Sequence, residues 1–227
     1  AVLVALGTIV RRRTGSTAAG VGAALALAIC QRPLSYAIGS PRVDDLSLLL
    51  AVLALDGFDR ADRSWGAWWT AVLCGVAAPF AKQTAVFALA VGLPILFCRD
   101  RRRGLLAAAA AGALAGGAYL AIQVVTDGRF GLYLLGVHSR VPLSLQSLRY
   151  VREFLLDTGV ISALAAAGIA LRLAGADRRR DWRSDPMIWG GLAGCAMAGL
   201  NVLQTAGSSR GLYPVALFAA LFAAETV

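Results

Sequence analysis

Apolar residues run along this chain in blocks parted by short polar loops, and the blocks fall at 1–10, 16–30, 43–55, 66–79, 85–98, 105–125, 160–174, 186–203 and 212–224. A membrane span needs about 20 apolar residues, or fewer where a helix is short or partly buried in protein. Only a helix or a closed barrel satisfies its own backbone in lipid. The pattern predicts an all-α fold, a polytopic transmembrane helix bundle of about eight spanning helices that forms one membrane domain over 1–227. The block at 1–10 is too short to span and reads as the remnant of a helix begun upstream. Lys82 divides the fourth block from the fifth, because it is the one charge between Ser64 and Cys98. In the longest loop, 126–159, Leu145, Leu148, Val151, Phe154 and Leu155 recur at helical spacing, with Arg149, Arg152 and Glu153 on the other face. That spacing predicts a juxtamembrane amphipathic helix lying along the membrane surface.

Composition agrees with this. Hydrophobic residues make up 58% and mean hydropathy is +0.68, outside the range of a soluble globular domain. The formal charge of +9 is concentrated at 11–13, 99–103 and 178–183. Each cluster ends an apolar block, so its arginines are expected to set orientation and meet anionic lipid headgroups, not nucleic acid. If 11–13 is cytoplasmic, strict alternation puts 56–64, 99–103 and 177–183 on the same side. Trp65, Trp68, Trp69, Trp182 and Trp189 then mark that interface, and Tyr36, Tyr133, Tyr150 and Tyr213 the opposite one. Cys30, Cys74, Cys98 and Cys195 lie in or beside apolar blocks without a C-x-x-C pair, which leaves packing as their role.

Alternation also gathers a second set of residues on the far face. Arg42, Asp44, Asp45, Lys82, Gln83, Asp127, Arg129, His138, Arg140, Arg210 and Tyr213 come from several loops, with single cations beside hydrogen-bonding or aromatic neighbours. Arginine can fork onto phosphate oxygens and lysine supplies a point charge, so such a face suits a lipid-linked phosphate or pyrophosphate. Two plainer readings stand beside this one. Asp44 and Asp45 after Pro41 suit the positive end of a helix dipole, and Lys82 near a helix end can snorkel to the interface. With one histidine and no carboxylate cluster, a transition-metal centre has no support, and there is no nucleotide loop or nucleophile elbow.

At these positions the chain resembles the polytopic glycosyltransferases of the GT-C superfamily, in particular bacterial members similar to protein O-mannosyltransferases and lipid A sugar transferases. The likeness runs from about residue 10 to the end. It rests on Arg42-Val43-Asp44-Asp45-Leu46-Ser47, Lys82-Gln83-Thr84, Thr126-Asp127-Gly128-Arg129-Phe130, and Gly207-Ser208-Ser209-Arg210-Gly211-Leu212-Tyr213-Pro214, four motifs in order. The resemblance implies a multi-pass protein of the bacterial cytoplasmic membrane, the C-terminal portion of a GT-C-like fold. It would transfer a sugar from a polyprenyl-phosphate donor to an acceptor at the extracytoplasmic face. Arg42, Lys82, Gln83, Arg129, His138, Arg210 and Tyr213 are the expected substrate-binding residues. In such enzymes the catalytic carboxylate sits in the first external loop, which here would precede Ala1; within the chain, Asp44 and Asp45 are the candidates. Membrane lipid and the lipid-linked sugar are the expected partners. No cofactor is expected, although a divalent cation is compatible with the acidic residues. The competing readings are a transporter or flippase for a lipid-linked sugar and a non-catalytic membrane scaffold.

Overall fold

A computed structural model of the chain describes residues 1–30, 43–132, 184–204 and 212–224, with isolated positions between 149 and 170. The surface helix expected within 145–155 and the span at 160–174 lie outside the described residues, apart from those isolated positions. The described residues are all-α and carry no strand.

The helices are arranged as hairpins. α1 (Val2–Thr14) turns into α2 (Thr17–Cys30) through Gly15. The turn needs φ +76° there, a left-handed conformation that glycine takes at no steric cost, and the Gly15 amide donates to the Arg11 carbonyl at 2.8 Å. α3 (Val43–Arg60) and α4 (Trp65–Ala81) form the most extensive helix pair. Their backbones meet at Gly57, where a Cβ would stand 2.6 Å from the Ala71 amide nitrogen. The start of α4 is fixed by Ser64, whose hydroxyl accepts from the Ala67 amide at 3.4 Å.

α4 stops at Lys82. Pro79 removes a backbone donor from its last turn, and Lys82 itself is extended, with φ −153° and ψ 124°. A 3-10 turn, Gln83–Val86, then leads into α5 (Phe87–Arg99), which runs back toward the start of α4. The division read from one lysine in an apolar run is therefore present as a change of direction. α6 (Arg101–Val125) begins at Asp100, whose carboxylate accepts from the Arg103 amide at 3.0 Å. α7 (Pro186–Gln204) begins with Asp185 as its cap, accepting from the Met187 amide at 2.9 Å, and with proline at the first helical position. α8 (Tyr213–Ala224) closes the described chain.

Leu6, Leu27, Leu55, Phe58, Phe218 and Leu221 are buried among these helices. Phe87 meets Phe218 edge to face with ring centroids 6.2 Å apart, which joins α5 to α8. Apolar side chains are also displayed outward. Val124 and Val125 are 78% and 83% exposed, and Leu105, Leu120, Val21, Leu25 and Leu73 are exposed as well.

Among the described residues one helix, Arg101–Val125, is long and apolar enough to cross a membrane by itself. Thr17–Ala28, Trp65–Ala81, Gln83–Arg99 and Pro214–Ala224 are apolar but shorter. The reason is geometric. At 1.5 Å per residue, 17 residues reach about 25 Å, less than the roughly 30 Å of hydrocarbon. The described helices thus establish an all-α chain with an apolar exterior, and the expected eight spans go beyond what they show.

Candidate functional site

The helix ends divide into two groups. At one end lie Thr14, Arg60, Trp65, Arg99, Arg101 and Pro186, and we call this the arginine end. At the other lie Val43, Ala81, Gln83, Val125, Gln204 and Tyr213, the lysine end.

The arginine end differs from its sequence expectation. Its cations do not all face outward. Arg13, whose side chain is 3% exposed, pairs with Asp185 at 2.7 Å and with Asp59 at 3.4 Å. Arg99 donates to Asp59 at 3.5 Å and also to the Ser184 carbonyl. Asp56 pairs with Arg12 and, at 2.5 Å, with Arg60. The helices extend past the predicted boundaries to reach this network: α1 runs on through Arg11, Arg12 and Arg13, and α3 through Asp56 and Asp59. A buried ion must be paired, so these charges stay helical and turn toward partners on other helices. Trp68 likewise departs from the expected interfacial role. It is buried, and its indole N–H donates to the Arg103 carbonyl at 3.1 Å, while Arg103 lies 4.8 Å over the ring of the exposed Trp65.

The lysine end holds a cavity of about 430 Å³ beside the helix break, lined by Pro79, Phe80, Gln83, Val86, Ala115, Tyr119 and Phe130. Its volume lies in the range of small-molecule sites. One wall comes from the break itself. Another comes from α6, and the third from the turn that follows α6.

That turn is built from the Thr126-Asp127-Gly128-Arg129-Phe130 motif. The Thr126 hydroxyl donates to the Ile122 carbonyl at 2.7 Å and accepts from the Phe130 amide at 3.2 Å. Asp127 and Gly128 both take positive φ, 48° and 80°, which reverses the chain. Phe130 therefore folds back and stacks on Phe80, with centroids 6.3 Å apart, and lies 6.1 Å from the Tyr119 ring. Gln123 secures the arrangement by donating to the Tyr119 hydroxyl at 2.6 Å and accepting from the Gly131 amide at 3.3 Å. Two motifs more than 40 residues apart in the sequence thus meet around one cavity.

The predicted site residues fare unevenly. Gln83 lines the cavity. Lys82 immediately precedes it in extended backbone and is half-buried, and Arg129 is exposed on the turn that carries Phe130. Asp45 is half-buried in the first turn of α3, a helix that packs against the 3-10 turn beginning at Gln83. Asp44 is placed beside it in the same turn, and Tyr213 is the first residue of α8. Arg42, His138 and Arg210 lie outside the described residues. Sequence reasoning missed Tyr119 and Gln123. Their i, i+4 spacing as polar groups in an apolar helix was the available signal.

Chemically, the cavity combines aromatic faces and an aliphatic wall with an amide and a phenol, and a cationic side chain precedes it. Such a surface can take an apolar chain or a sugar ring, with hydrogen bonds at one edge. Among the described residues no group of three or more His, Cys, Asp or Glu is placed to hold a metal ion. No family model matches the chain, and comparisons with curated proteins and with solved structures likewise give no match.

Proposed function

We propose that the chain is a polytopic membrane glycosyltransferase, or a portion of one, with GT-C-like organisation. It takes a sugar from a polyprenyl-phosphate donor at the extracytoplasmic face of a bacterial cytoplasmic membrane. The observation that carries this reading is the cavity at the Lys82 break, where Gln83 of the Lys-Gln-Thr motif and Phe130 of the Thr-x-Gly-x-Phe motif line the same space.

In this reading Lys82, with Arg42, Arg129 and Arg210, neutralises the donor phosphate as it leaves. Gln83, His138 and Tyr213 hold the substrate. Charge-assisted donors aimed at a leaving phosphate stabilise the charge that grows there. A carboxylate, for which Asp44 and Asp45 are the candidates within the chain, takes the proton from the acceptor hydroxyl.

A transporter for the same lipid would have to open at both ends of the bundle. The network joining α1, α3, α5 and the start of α7 closes the arginine end in this conformation, which both readings allow, so access from that end during turnover is the discriminating observation.

The test is donor binding by purified protein in lipid nanodiscs, with a polyprenyl-phosphate sugar as ligand. A hydrogen bond to a charged group contributes about 1.5–3 kcal/mol, so Lys82→Ala is expected to weaken binding roughly 10- to 150-fold. Equal affinity in the variant and the parent refutes the role given to Lys82.

A further inference from the structure

The three arginines near the end of α1 are put to different uses. Arg12 pairs with Asp56, and Arg13 is buried between Asp59 and Asp185. Arg11 is exposed and makes no ion pair among the described residues. It stands instead at the head of an open groove of about 310 Å³ between α1 and α2. Arg11 and Thr17 line the groove beside the hairpin turn, and Leu3, Val4, Val21 and Ala24 line its further part. Two glycines let the helices meet at its floor, where a Cβ on Gly20 would stand 2.5 Å from the Gly7 carbonyl oxygen. Val4 and Val21 are 73% and 54% exposed, so the groove is open along its apolar part.

We infer that this groove binds an anionic phospholipid, with the phosphate at Arg11 and Thr17 and one acyl chain along the groove. The lining is cationic at one end and apolar at the other, which matches a molecule with an anionic head and a hydrocarbon tail. Thr8, between the two ends, has its hydroxyl donated to the Val4 carbonyl at 2.8 Å and so presents no free donor there. At the head, the Arg11 guanidinium can fork onto two phosphate oxygens, and the Thr17 hydroxyl can donate to a third. The length fits as well. Between Leu3 and Arg11, α1 rises about 12 Å at 1.5 Å per residue, close to the roughly 15 Å of hydrocarbon in one leaflet. The same end of the bundle carries the exposed Trp65 under Arg103, a pairing suited to headgroup level. The inference requires the chain to lie in a membrane, but it does not depend on sugar transfer, because the groove shares no residue with the cavity beside Gln83.

The experiment places the full chain in phosphatidylcholine nanodiscs with a minor fraction of phosphatidylglycerol that carries a diazirine midway along one acyl chain. Adducts are mapped by mass spectrometry after photolysis, and those on the outer face of α6 serve as the reference for lipid contact without headgroup preference. Adducts are expected within residues 3–8 and 20–24, displaced by unlabelled phosphatidylglycerol and not by phosphatidylcholine. Arg11→Gln should lower them roughly fivefold relative to α6. Thr8→Trp, which fills the groove and leaves Arg11 in place, should lower them at least as far. Arg63→Gln, at an exposed arginine of the same end outside the groove, should leave them unchanged. Equal displacement by phosphatidylcholine, or full capture in both Arg11→Gln and Thr8→Trp, overturns the inference. Adducts on α6 with none in the groove mean that protein, such as a second copy of the chain, covers it, and this also overturns the inference. Absence of adducts from α6 as well refutes the membrane reading and the inference with it.

Discussion

Asp185→Asn and Asp185→Ala separate the two tasks of one side chain. Asp185 accepts from the Met187 amide at 2.9 Å, which caps α7, and pairs with the buried Arg13 at 2.7 Å. Asparagine caps a helix about as well as aspartate, so Asp185→Asn keeps the first task and loses the second. Orphaning a buried charge costs about 3–5 kcal/mol, and Asp185→Asn should fall toward the lower limit, at about 3 kcal/mol, because Arg13 retains Asp59 at 3.4 Å. Asp185→Ala also loses the cap, adding about 1 kcal/mol. Reversible unfolding in mixed micelles, followed by far-UV circular dichroism, measures both variants against the parent. The expected order of stability is parent, then Asn, then Ala, with the larger step first. If Asp185→Asn falls within about 0.5 kcal/mol of the parent, as a surface position would, the buried pair does not hold the arginine end.

Two further substitutions test the packing and the cavity. Gly57→Ala drives a Cβ against the Ala71 amide nitrogen and the Ala67 carbonyl, at 2.6 and 2.8 Å, and should destabilise the α3–α4 pair by about 1–3 kcal/mol in the same unfolding assay. Phe130→Ala removes the ring that stacks on Phe80 and closes on Tyr119. An aromatic pair contributes about 0.5–1.5 kcal/mol beyond its burial, so the unfolding assay should show at least about that loss, and donor affinity in nanodiscs should fall because a wall of the cavity is gone; unchanged donor affinity would remove Phe130 from the site.

Much of the helix layout was legible because hydrophobic runs record burial in lipid or protein directly. The block at 16–30 became Thr17–Cys30, that at 186–203 became Pro186–Gln204, and Lys82 marked a true break. Helix ends were lost where charges pair across the fold. Asp56 and Asp59 looked like loop residues because Arg12, Arg13 and Arg99, which draw them into the fold, lie about 40 or more positions away, although Asp56 also has Arg60 four residues on. The count of eight spans goes beyond what the described helices show for a different reason: apolar composition says that a helix is buried in lipid or protein, but length decides whether it crosses alone. At the site, Gln83 and Phe130 belonged to recognisable motifs. The meeting of those motifs depended on Asp127 and Gly128 reversing the chain, and on Gln123 holding the turn from the preceding helix.

The proposal rests on an anionic lipid head lying at the Lys82 break with its chain against the aromatic wall. Photo-crosslinking with a polyprenyl-phosphate analogue that carries a diazirine next to the phosphate tests this most directly, with adducts mapped by mass spectrometry. The account predicts adducts at Lys82 or Gln83 and within residues 126–131 that are displaced by unlabelled donor. Adducts confined to the arginine end at residues 99–103, or spread along the outer face of α6 and insensitive to competitor, would contradict it.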